Sequence, residues 1–145
     1  MPEEMSDVDG FDNIISVDLS PVCINMMKER NLQLRPELKF RIMDSRMLDF
    51  VDENFDIVIE KGLSDALLCG TSAFKNVATM LMEAQRVLKT GGLFISVSYG
   101  EPDKRLIHLK RAHLNWEVKS MKLSREQYGH EVVHYIYFCR KLDGA

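Results

Sequence analysis

The feature that most restricts the fold of this chain is a regular alternation of short β-branched runs with helical segments. Four runs have the length and composition of strands, namely Asn13 to Val17, Leu38 to Met43, Phe55 to Ile59 and Leu93 to Tyr99. Between them, Ser20 and Pro21 begin a helix that continues to about Arg30. Ala73 to Leu88 carries apolar residues at helical spacing, and Gly91-Gly92 is expected to end that helix. This alternation predicts a parallel, doubly wound sheet.

The C-terminal third departs from this alternation. Pro102 to about Leu114 predicts a helix, and Trp116 to Leu123 and Glu131 to Arg140 predict two strands in succession. Because only a short turn around Gln127 to Gly129 joins these strands, they must be antiparallel. The predicted fold is therefore α/β, a Rossmann-like and mostly parallel sheet that ends in a C-terminal antiparallel hairpin, in a single domain over residues 1–145.

Composition narrows the possible classes of function. With 145 residues, of which 46% are hydrophobic and 28% charged, the chain has the composition of one globular domain. A formal charge of −3 gives no electrostatic reason to bind nucleic acid or an anionic membrane, and no apolar run is long enough to span a bilayer. The three cysteines are scattered and the four histidines lack metal-ligand spacing. Neither disulfides nor a metal site is therefore predicted, and we expect a cytoplasmic protein.

Acidic residues end three of the predicted strands. Asp18, Asp44 and Glu60 each follow a strand directly, and ligands of open α/β sheets bind beyond the carboxyl ends of the strands. A carboxylate at Asp18 suits the two ribose hydroxyls of a nucleotide-like cofactor. Asp44 suits the exocyclic amine of adenine, and the backbone N–H of Ser45 suits a ring nitrogen. The order of these residues predicts an adenosine-bearing cofactor, while each of them singly also fits a solvated strand end.

One element of such a site is expected before the first predicted strand. A glycine-rich turn should precede a ribose-binding carboxylate by roughly 20 residues, and counting back that far from Asp18 passes Met1. We therefore expect the first strand and the glycine-rich loop of the fold to be missing from this chain. Because that strand lies at the centre of a doubly wound sheet, its loss predicts a gap with an unpaired edge on either side.

One segment carries a resemblance to a known family. Glu60 to Leu68 (EKGLSDALL) resembles the EKGTLDAL signature of class I S-adenosylmethionine-dependent methyltransferases, with Leu63-Ser64 where that family usually has Thr-Leu. Further blocks match the same family in order, namely Ser16 to Asn31, Leu38 to Phe50, Arg86 to Ser98 and the last strand within Tyr135 to Leu142. More narrowly, the chain resembles the group that includes methyltransferase-like protein 13.

This resemblance implies a cofactor, a substrate and a set of binding residues. The cofactor would be S-adenosyl-L-methionine, and the acceptor a protein lysine, because members of the group methylate translation elongation factor 1A. The implied cofactor-binding residues are Asp18 and Leu19 at the ribose and the adenine face, Asp44 and Ser45 at adenine, and Lys61 with Glu60 at the methionine end.

Two carboxylates are candidate catalytic residues. Glu60 or Asp65 would position the substrate ammonium and help it to lose a proton. Other interpretations stay open, because Asp65 equally suits a helix N-cap and Lys61 an exposed lysine at a strand end. Tyr99 is a candidate for facing the acceptor pocket, whereas Arg105 belongs to a basic helix face that is usually solvated.

The residues leave two other functions open. The first is a methyltransferase-fold fragment without catalytic competence that acts as an interaction module, which the absent glycine loop would favour. The second is a nicotinamide-dependent oxidoreductase, because such enzymes also have an acidic residue after the second strand of the fold. The EKG motif and the terminal hairpin argue against the oxidoreductase.

Overall fold

The structure, a computed structural model, describes residues 1–144. Within them the helices are α1 (Pro2–Asp9), α2 (Pro21–Asn31), α3 (Leu63–Leu68), α4 (Ala73–Val87) and α5 (Pro102–Leu109). The strands are β1 (Ile15–Asp18), β2 (Lys39–Ile42), β3 (Phe55–Lys61), β4 (Leu88–Ser98), β5 (Trp116–Gln127) and β6 (His130–Lys141). Residue contacts divide the chain into two compact units, the first from Met1 to Asp49 and the second from Phe50 onward. The single domain expected from the sequence stays a prediction.

The first unit pairs β1 with β2 in parallel and packs α2 against them. The register places Asp18 opposite Ile42 at the carboxyl ends of the two strands. Ser20 caps α2, because its Oγ accepts a hydrogen bond from the Cys23 N–H at 3.2 Å. A small apolar core lies between helix and strands and consists of Ile24, Leu38 and Phe40, with Ile14 and Met27 packed against it.

Polar contacts attach α1 to the C-terminal part of α2 and to the turn that follows it. Helix α1 has no buried residue, so its apolar contribution is small. Glu3 accepts from the Asn31 side-chain amide at 3.0 Å and pairs with Arg30, while Asp7 pairs with the guanidinium of Arg35. Hydrogen bonds and charges therefore hold this helix in place.

The second unit is a four-stranded mixed sheet in the order β3-β4-β6-β5. β3 and β4 are parallel, whereas β6 is antiparallel to both β4 and β5. This α/β architecture, with parallel strand pairs and a C-terminal antiparallel hairpin, confirms the predicted fold class. β1 and β3 each pair with one strand only in the described part of the chain, and the missing first strand stays a prediction.

The core of the second unit lies between the sheet and one face of α4. That face contributes Val77, Met80, Leu81, Ala84 and Val87. Trp116, at the start of β5, stacks on Phe94 with ring centroids 5.4 Å apart, and its Nε1–H donates to the Leu109 carbonyl at 2.6 Å. The indole therefore fixes the end of α5 to the start of the hairpin.

The beginning of β4 differs from the sequence prediction. Helix α4 ends at Val87 and β4 begins directly at Leu88, so Gly91-Gly92 does not end the helix. The two glycines instead lie where the register between β3 and β4 shifts. Gly91 has a φ of 78°, and a Cβ at Gly92 would lie 2.7 Å from the Lys89 carbonyl oxygen. This irregular segment therefore requires glycine.

Two helices also differ from the prediction. α5 ends at Leu109 and not near Leu114, because Lys110 leaves the helical conformation and the Leu109 carbonyl accepts from an indole instead of a helical N–H. α3 was not predicted, since six residues are too few to display a helical period.

The hairpin of β5 and β6 runs beyond the rest of the sheet. β4 pairs with β6 only as far as Tyr135, whereas β5 and β6 stay paired up to the turn at Tyr128 and Gly129. Positive φ values of 52° and 77° at these two residues match a type I′ turn. Residues 123–134 therefore form a two-stranded hairpin arm that extends past the carboxyl end of β4.

We predict that Trp116→Phe lowers the free energy of unfolding by roughly 1–3 kcal/mol, because the Leu109 carbonyl loses its donor and the core loses volume. Urea denaturation followed by far-UV circular dichroism measures this, since Trp116 is the one tryptophan of the chain and its fluorescence is lost with it. Tyr128→Phe at the exposed turn is the aromatic control and should leave the midpoint unchanged. A wild-type midpoint for Trp116→Phe would contradict the role given to the indole.

Candidate functional site

The carboxyl ends of β1 and β2 lie side by side in the first unit. The Met43 N–H donates to the Asp18 carbonyl oxygen at 2.9 Å, which places Asp44 just beyond the end of β2 and close to Asp18. Adjacent strands lie about 4.8 Å apart, so both carboxylates are within reach of one small ligand. The structure thus brings Asp18 and Asp44 together, and their role in binding stays a prediction.

Asp18 and its neighbour Leu19 are both accessible to a ligand. The Asp18 side chain is exposed, and its Oδ1 accepts from the Ser20 N–H at 2.8 Å, which holds the carboxylate against its own turn. Leu19 is 61% exposed. A fixed acceptor therefore stands next to an open apolar side chain.

Asp44 is half-buried and already has a partner. Its carboxylate accepts from the Arg46 guanidinium at 3.0 and 2.7 Å and from the Arg46 backbone N–H at 2.8 Å. These hydrogen bonds hold the pKa of Asp44 below its ordinary value. Ser45 lies between the two residues in the same turn and is half-buried. A ligand amine that bound Asp44 would share the carboxylate with Arg46.

A buried carboxylate organises the carboxyl end of β3 in the second unit. Glu60 is 6% exposed, and its Oε2 accepts from the backbone N–H groups of Leu63 at 2.9 Å and Ser64 at 3.3 Å. Its Oε1 accepts from the Ser64 hydroxyl at 2.8 Å and from the Ser96 hydroxyl. Glu60 therefore caps α3 and ties it to β4. The helix-capping role that the sequence offered for Asp65 belongs to Glu60.

Asp65 reaches from the first turn of α3 to the connection between β4 and α5. Its Oδ1 accepts from Arg105 Nη2 at 2.8 Å and from the Ser98 hydroxyl, and its Oδ2 accepts from the Tyr99 N–H at 3.0 Å. Burial raises the pKa of Asp65, but the hydrogen bonds from Ser98, Tyr99 and Arg105 outweigh it and hold the pKa below its ordinary value. Asp65 is therefore an ionised group that holds donors at neutral pH.

Arg105 reaches Asp65 because residue 100 is glycine. A Cβ at Gly100 would lie 2.1 Å from Arg105 Cζ, which is far inside van der Waals contact. The Gly100 N–H donates to Ser98 Oγ at 2.9 Å, and its carbonyl accepts from the Tyr137 hydroxyl at 2.6 Å. Burial raises the pKa of Tyr137 to about 12, so this hydroxyl keeps its proton. The backbone after β4 is thus fixed from both sides.

Two of the predicted residues lie exposed at strand ends. Lys61 is the last residue of β3 and is exposed, and Tyr99 follows β4 with 66% of its surface exposed. The interpretation of Arg105 as a solvated residue is wrong, because its side chain is 17% exposed and paired with Asp65.

Sequence reasoning missed several residues of this network, namely the polar side chains of Ser64, Ser96, Ser98 and Arg105 and the backbone of Gly100. For Ser96 and Ser98, the sequence does contain a signal. Ser96 and Ser98 share a strand face with Phe94, as their period of two requires. A hydroxyl on the buried face of an apolar strand needs a hydrogen-bond partner, and so it indicates a polar network behind the sheet.

The two sets of strand ends are suited to different tasks. In the first unit, exposed Asp18 and Leu19 beside Asp44 offer acceptors and an apolar surface to a polar, planar ligand. In the second unit, the carboxylates of Glu60 and Asp65 fix the backbone around α3 and β4. Within residues 1–144, no three His, Cys, Asp or Glu side chains are grouped as metal ligands. In that same range, no helix combines the length and apolar character needed to cross a membrane.

Comparison with known proteins identifies similar chains. Residues 4–137 match a family described as a methyltransferase domain. The mouse protein named EEF1A lysine methyltransferase 4 is 37% identical over 118 residues, which cover 76% of this chain and 46% of that protein. Mouse eEF1A lysine and N-terminal methyltransferase is 34% identical over 132 residues, covering 88% of this chain and 18% of that protein. The matched stretches thus span less than half the length of either relative.

Solved structures share the fold. A crystal structure of a SAM-dependent methyltransferase from Methanosarcina mazei superposes with a TM-score of 0.66 and 17% sequence identity, covering 88% of this chain and 81% of that one. TrmN from Thermus thermophilus gives a TM-score of 0.66 at 20% identity, over 88% of this chain and 36% of that one. Identities this low support the Rossmann-like fold alone.

We predict that Asp65→Asn lowers the free energy of unfolding at neutral pH by roughly 1–3 kcal/mol, because Arg105 keeps its charge and loses its carboxylate. The pKa of Asp65 is lower in the folded than in the unfolded chain. Its stabilisation is therefore present above the unfolded pKa and is lost as the pH falls through the folded pKa. Urea denaturation from neutral pH to below about pH 4 should show the difference between variant and wild type narrowing.

The control for this comparison is Asp56→Asn, which removes an exposed ion pair with Lys89. Exposed pairs contribute little, so this variant should stay near wild type at every pH. A difference between Asp65→Asn and wild type that did not change with pH would contradict the assigned ionisation.

Proposed function

The chain belongs to the methyltransferase family whose domain its residues 4–137 match, and from this membership we propose that it is an S-adenosylmethionine-dependent methyltransferase that modifies a protein lysine. The observation that carries the proposal is the juxtaposition of Asp18 and Asp44 at the ends of two adjacent parallel strands. Family membership supplies the reaction class, and the strand ends supply groups that match an adenosine.

The residues of the first unit fit the adenosine part of the cofactor. A ribose presents two hydroxyl donors, and the exposed carboxylate of Asp18 has two acceptor oxygens for them, of which Oδ1 also accepts from the Ser20 N–H. Leu19 offers an apolar surface to a flat base, and Asp44 offers an acceptor to its exocyclic amine. The backbone N–H of Ser45 is assigned to a ring nitrogen, and the assignment of Lys61 to the methionine end rests on the family resemblance.

When bound, S-adenosylmethionine would supply a methyl group on a positively charged sulfur. The acceptor nitrogen must be a neutral amine when its bond to the methyl carbon forms, and the sulfur keeps the electron pair of the broken bond. The protein therefore has to hold the amine, exclude water and let a proton leave. In our proposal Glu60 and Asp65 serve this by positioning α3 and the backbone after β4, because protein donors already occupy both carboxylates.

The names of the relatives support one class of substrate. The two mouse proteins are named for lysine methylation of eEF1A, and we propose the same translation elongation factor as the acceptor of this chain. We also propose that the protein acts in the cytoplasm, where an elongation factor takes part in translation. Unpaired cysteines such as Cys23, Cys69 and Cys139 also stay reduced there. Fluorescent tagging of the protein in cells tests the location.

Calorimetric titration tests cofactor binding. S-adenosylhomocysteine should bind the chain, NAD should not, and Asp18→Ala should weaken the former roughly tenfold or more because charge-assisted hydrogen bonds to the ribose are lost. Asp12→Ala removes an exposed acid outside the strand ends and should leave the affinity unchanged. Binding of NAD would favour an oxidoreductase, and binding of neither would favour an interaction module.

A methylation assay with purified elongation factor 1A tests the roles of the two carboxylates. We predict that Glu60→Ala and Asp65→Ala each lower kcat roughly tenfold or more, because a misplaced positioning group costs catalysis more than binding. The affinity for S-adenosylhomocysteine should change much less. Unchanged turnover in both variants, with folding verified by circular dichroism, would refute these roles.

A further inference from the structure

The residue after β4, Tyr99, has an exposed ring on an unusually fixed backbone. Its N–H donates to Asp65 Oδ2 at 3.0 Å. The next residue, Gly100, is held through its N–H by Ser98 Oγ at 2.9 Å and through its carbonyl by the Tyr137 hydroxyl at 2.6 Å. The Tyr99 side chain is therefore 66% exposed although three hydrogen bonds hold the backbone from which it extends.

One face of the Tyr99 ring rests on His134. The two ring centroids are 4.5 Å apart with planes tilted by 34°, and His134 is 8% exposed. His134 belongs to the root of the hairpin arm, at the rung next to Tyr135. The imidazole therefore supports the tyrosine from beneath, and the opposite ring face is the one that solvent reaches.

The charges around this ring favour a cation on its open face. Asp65 neutralises Arg105 directly beneath the connection, so that guanidinium opposes an incoming cation little. The exposed segment that follows, from Glu101 to Lys104, carries two acids and one lysine. An aromatic face is itself attractive to an ammonium group, and most of all to methylated ones, which lose little hydration.

We propose that the open face of Tyr99 binds the cationic side-chain amine of the methyl acceptor, with His134 as the residue that positions the ring. The inference rests on the proposed function and deepens it, because it names an acceptor-binding residue and a preference for lysine in its ammonium and methylammonium forms. The ring holds the cation at the carboxyl end of β4 before its proton leaves and again after a methyl group has been added.

Nuclear magnetic resonance tests the cation site without requiring turnover. The chain has four tyrosines, so ring signals of tyrosine-labelled protein can be assigned with single Tyr→Phe variants. Nα-acetyl-Nε-trimethyllysine amide should shift the Tyr99 ring signal, and the neutral analogue with a tert-butyl group in place of trimethylammonium should bind about fivefold or more weakly. Equal affinities, or an unmoved Tyr99 signal, would overturn the proposal.

Steady-state kinetics with purified elongation factor 1A provide the second arm. Tyr99→Leu should raise the KM for the acceptor about tenfold, whereas Tyr99→Phe, which keeps the aromatic face, should stay within about twofold of wild type. The KM for S-adenosylmethionine should be unchanged in both. Tyr128→Leu, at the exposed hairpin turn, is the matched control and should behave as wild type.

The two arms separate the failure of this inference from the failure of the proposed function. Normal methylation with an unchanged acceptor KM in Tyr99→Leu would overturn the inference and leave the proposed function standing. Absence of methyl transfer by the wild-type chain would count against the proposed function, and the preference for trimethyllysine over its neutral analogue would then decide whether Tyr99 is a cation site.

Discussion

The interaction on which the second unit depends is the enclosure of the Glu60 carboxylate. A carboxylate that is 6% exposed is strongly destabilising unless protein donors replace its water. Here the donors come from the start of α3 and from the Ser96 hydroxyl on β4. They can converge only if the chain turns sharply after β3, which Gly62 permits with a φ of 74°. The Glu-Lys-Gly-Leu-Ser segment is therefore one geometric unit, with a charge at the strand end, a glycine turn and a helix start that binds the charge.

Asp65 plays a similar part between α3 and the connection from β4 to α5. Together with Arg105 and Ser98 it fixes the backbone after β4, and Gly100 leaves the room that the guanidinium needs. The two acids that were candidates for holding the acceptor amine are thus bound by protein donors in this structure. Their geometry suits groups that fix the backbone around them, and under the proposed function it leaves contact with the acceptor to exposed neighbours such as Tyr99.

Local patterns were sufficient to predict the strands and the hairpin, because alternation and a short turn are properties of neighbouring residues. The polar network was not predictable in this way. Glu60 and Ser96 are 36 residues apart, and Asp65 and Arg105 are 40 apart, so only the folded sheet brings them together. Helix α3 was missed for a related reason, since its cap comes from a side chain on the preceding strand. The start of β4 was missed because a steric constraint at Gly92, and not a helix stop, requires glycine there.

Burial and existing hydrogen bonds also distinguish the acidic residues at or just after the strand ends, although all of them look alike in the sequence. Glu60 is buried and fully occupied with protein donors. The side chains of Asp65 and Asp44 are 21% and 25% exposed, and each is paired with an arginine, whereas Asp18 is exposed. A ligand can exchange hydrogen bonds with Asp18 at little cost, because water is what it displaces. At Asp44 it meets a carboxylate that Arg46 has already oriented, which lowers the entropy lost on binding but also requires the ligand to share an acceptor. If the proposed cofactor binds at these strand ends, recognition of the ribose should therefore contribute more affinity than recognition of the base, and the base should contribute mainly orientation.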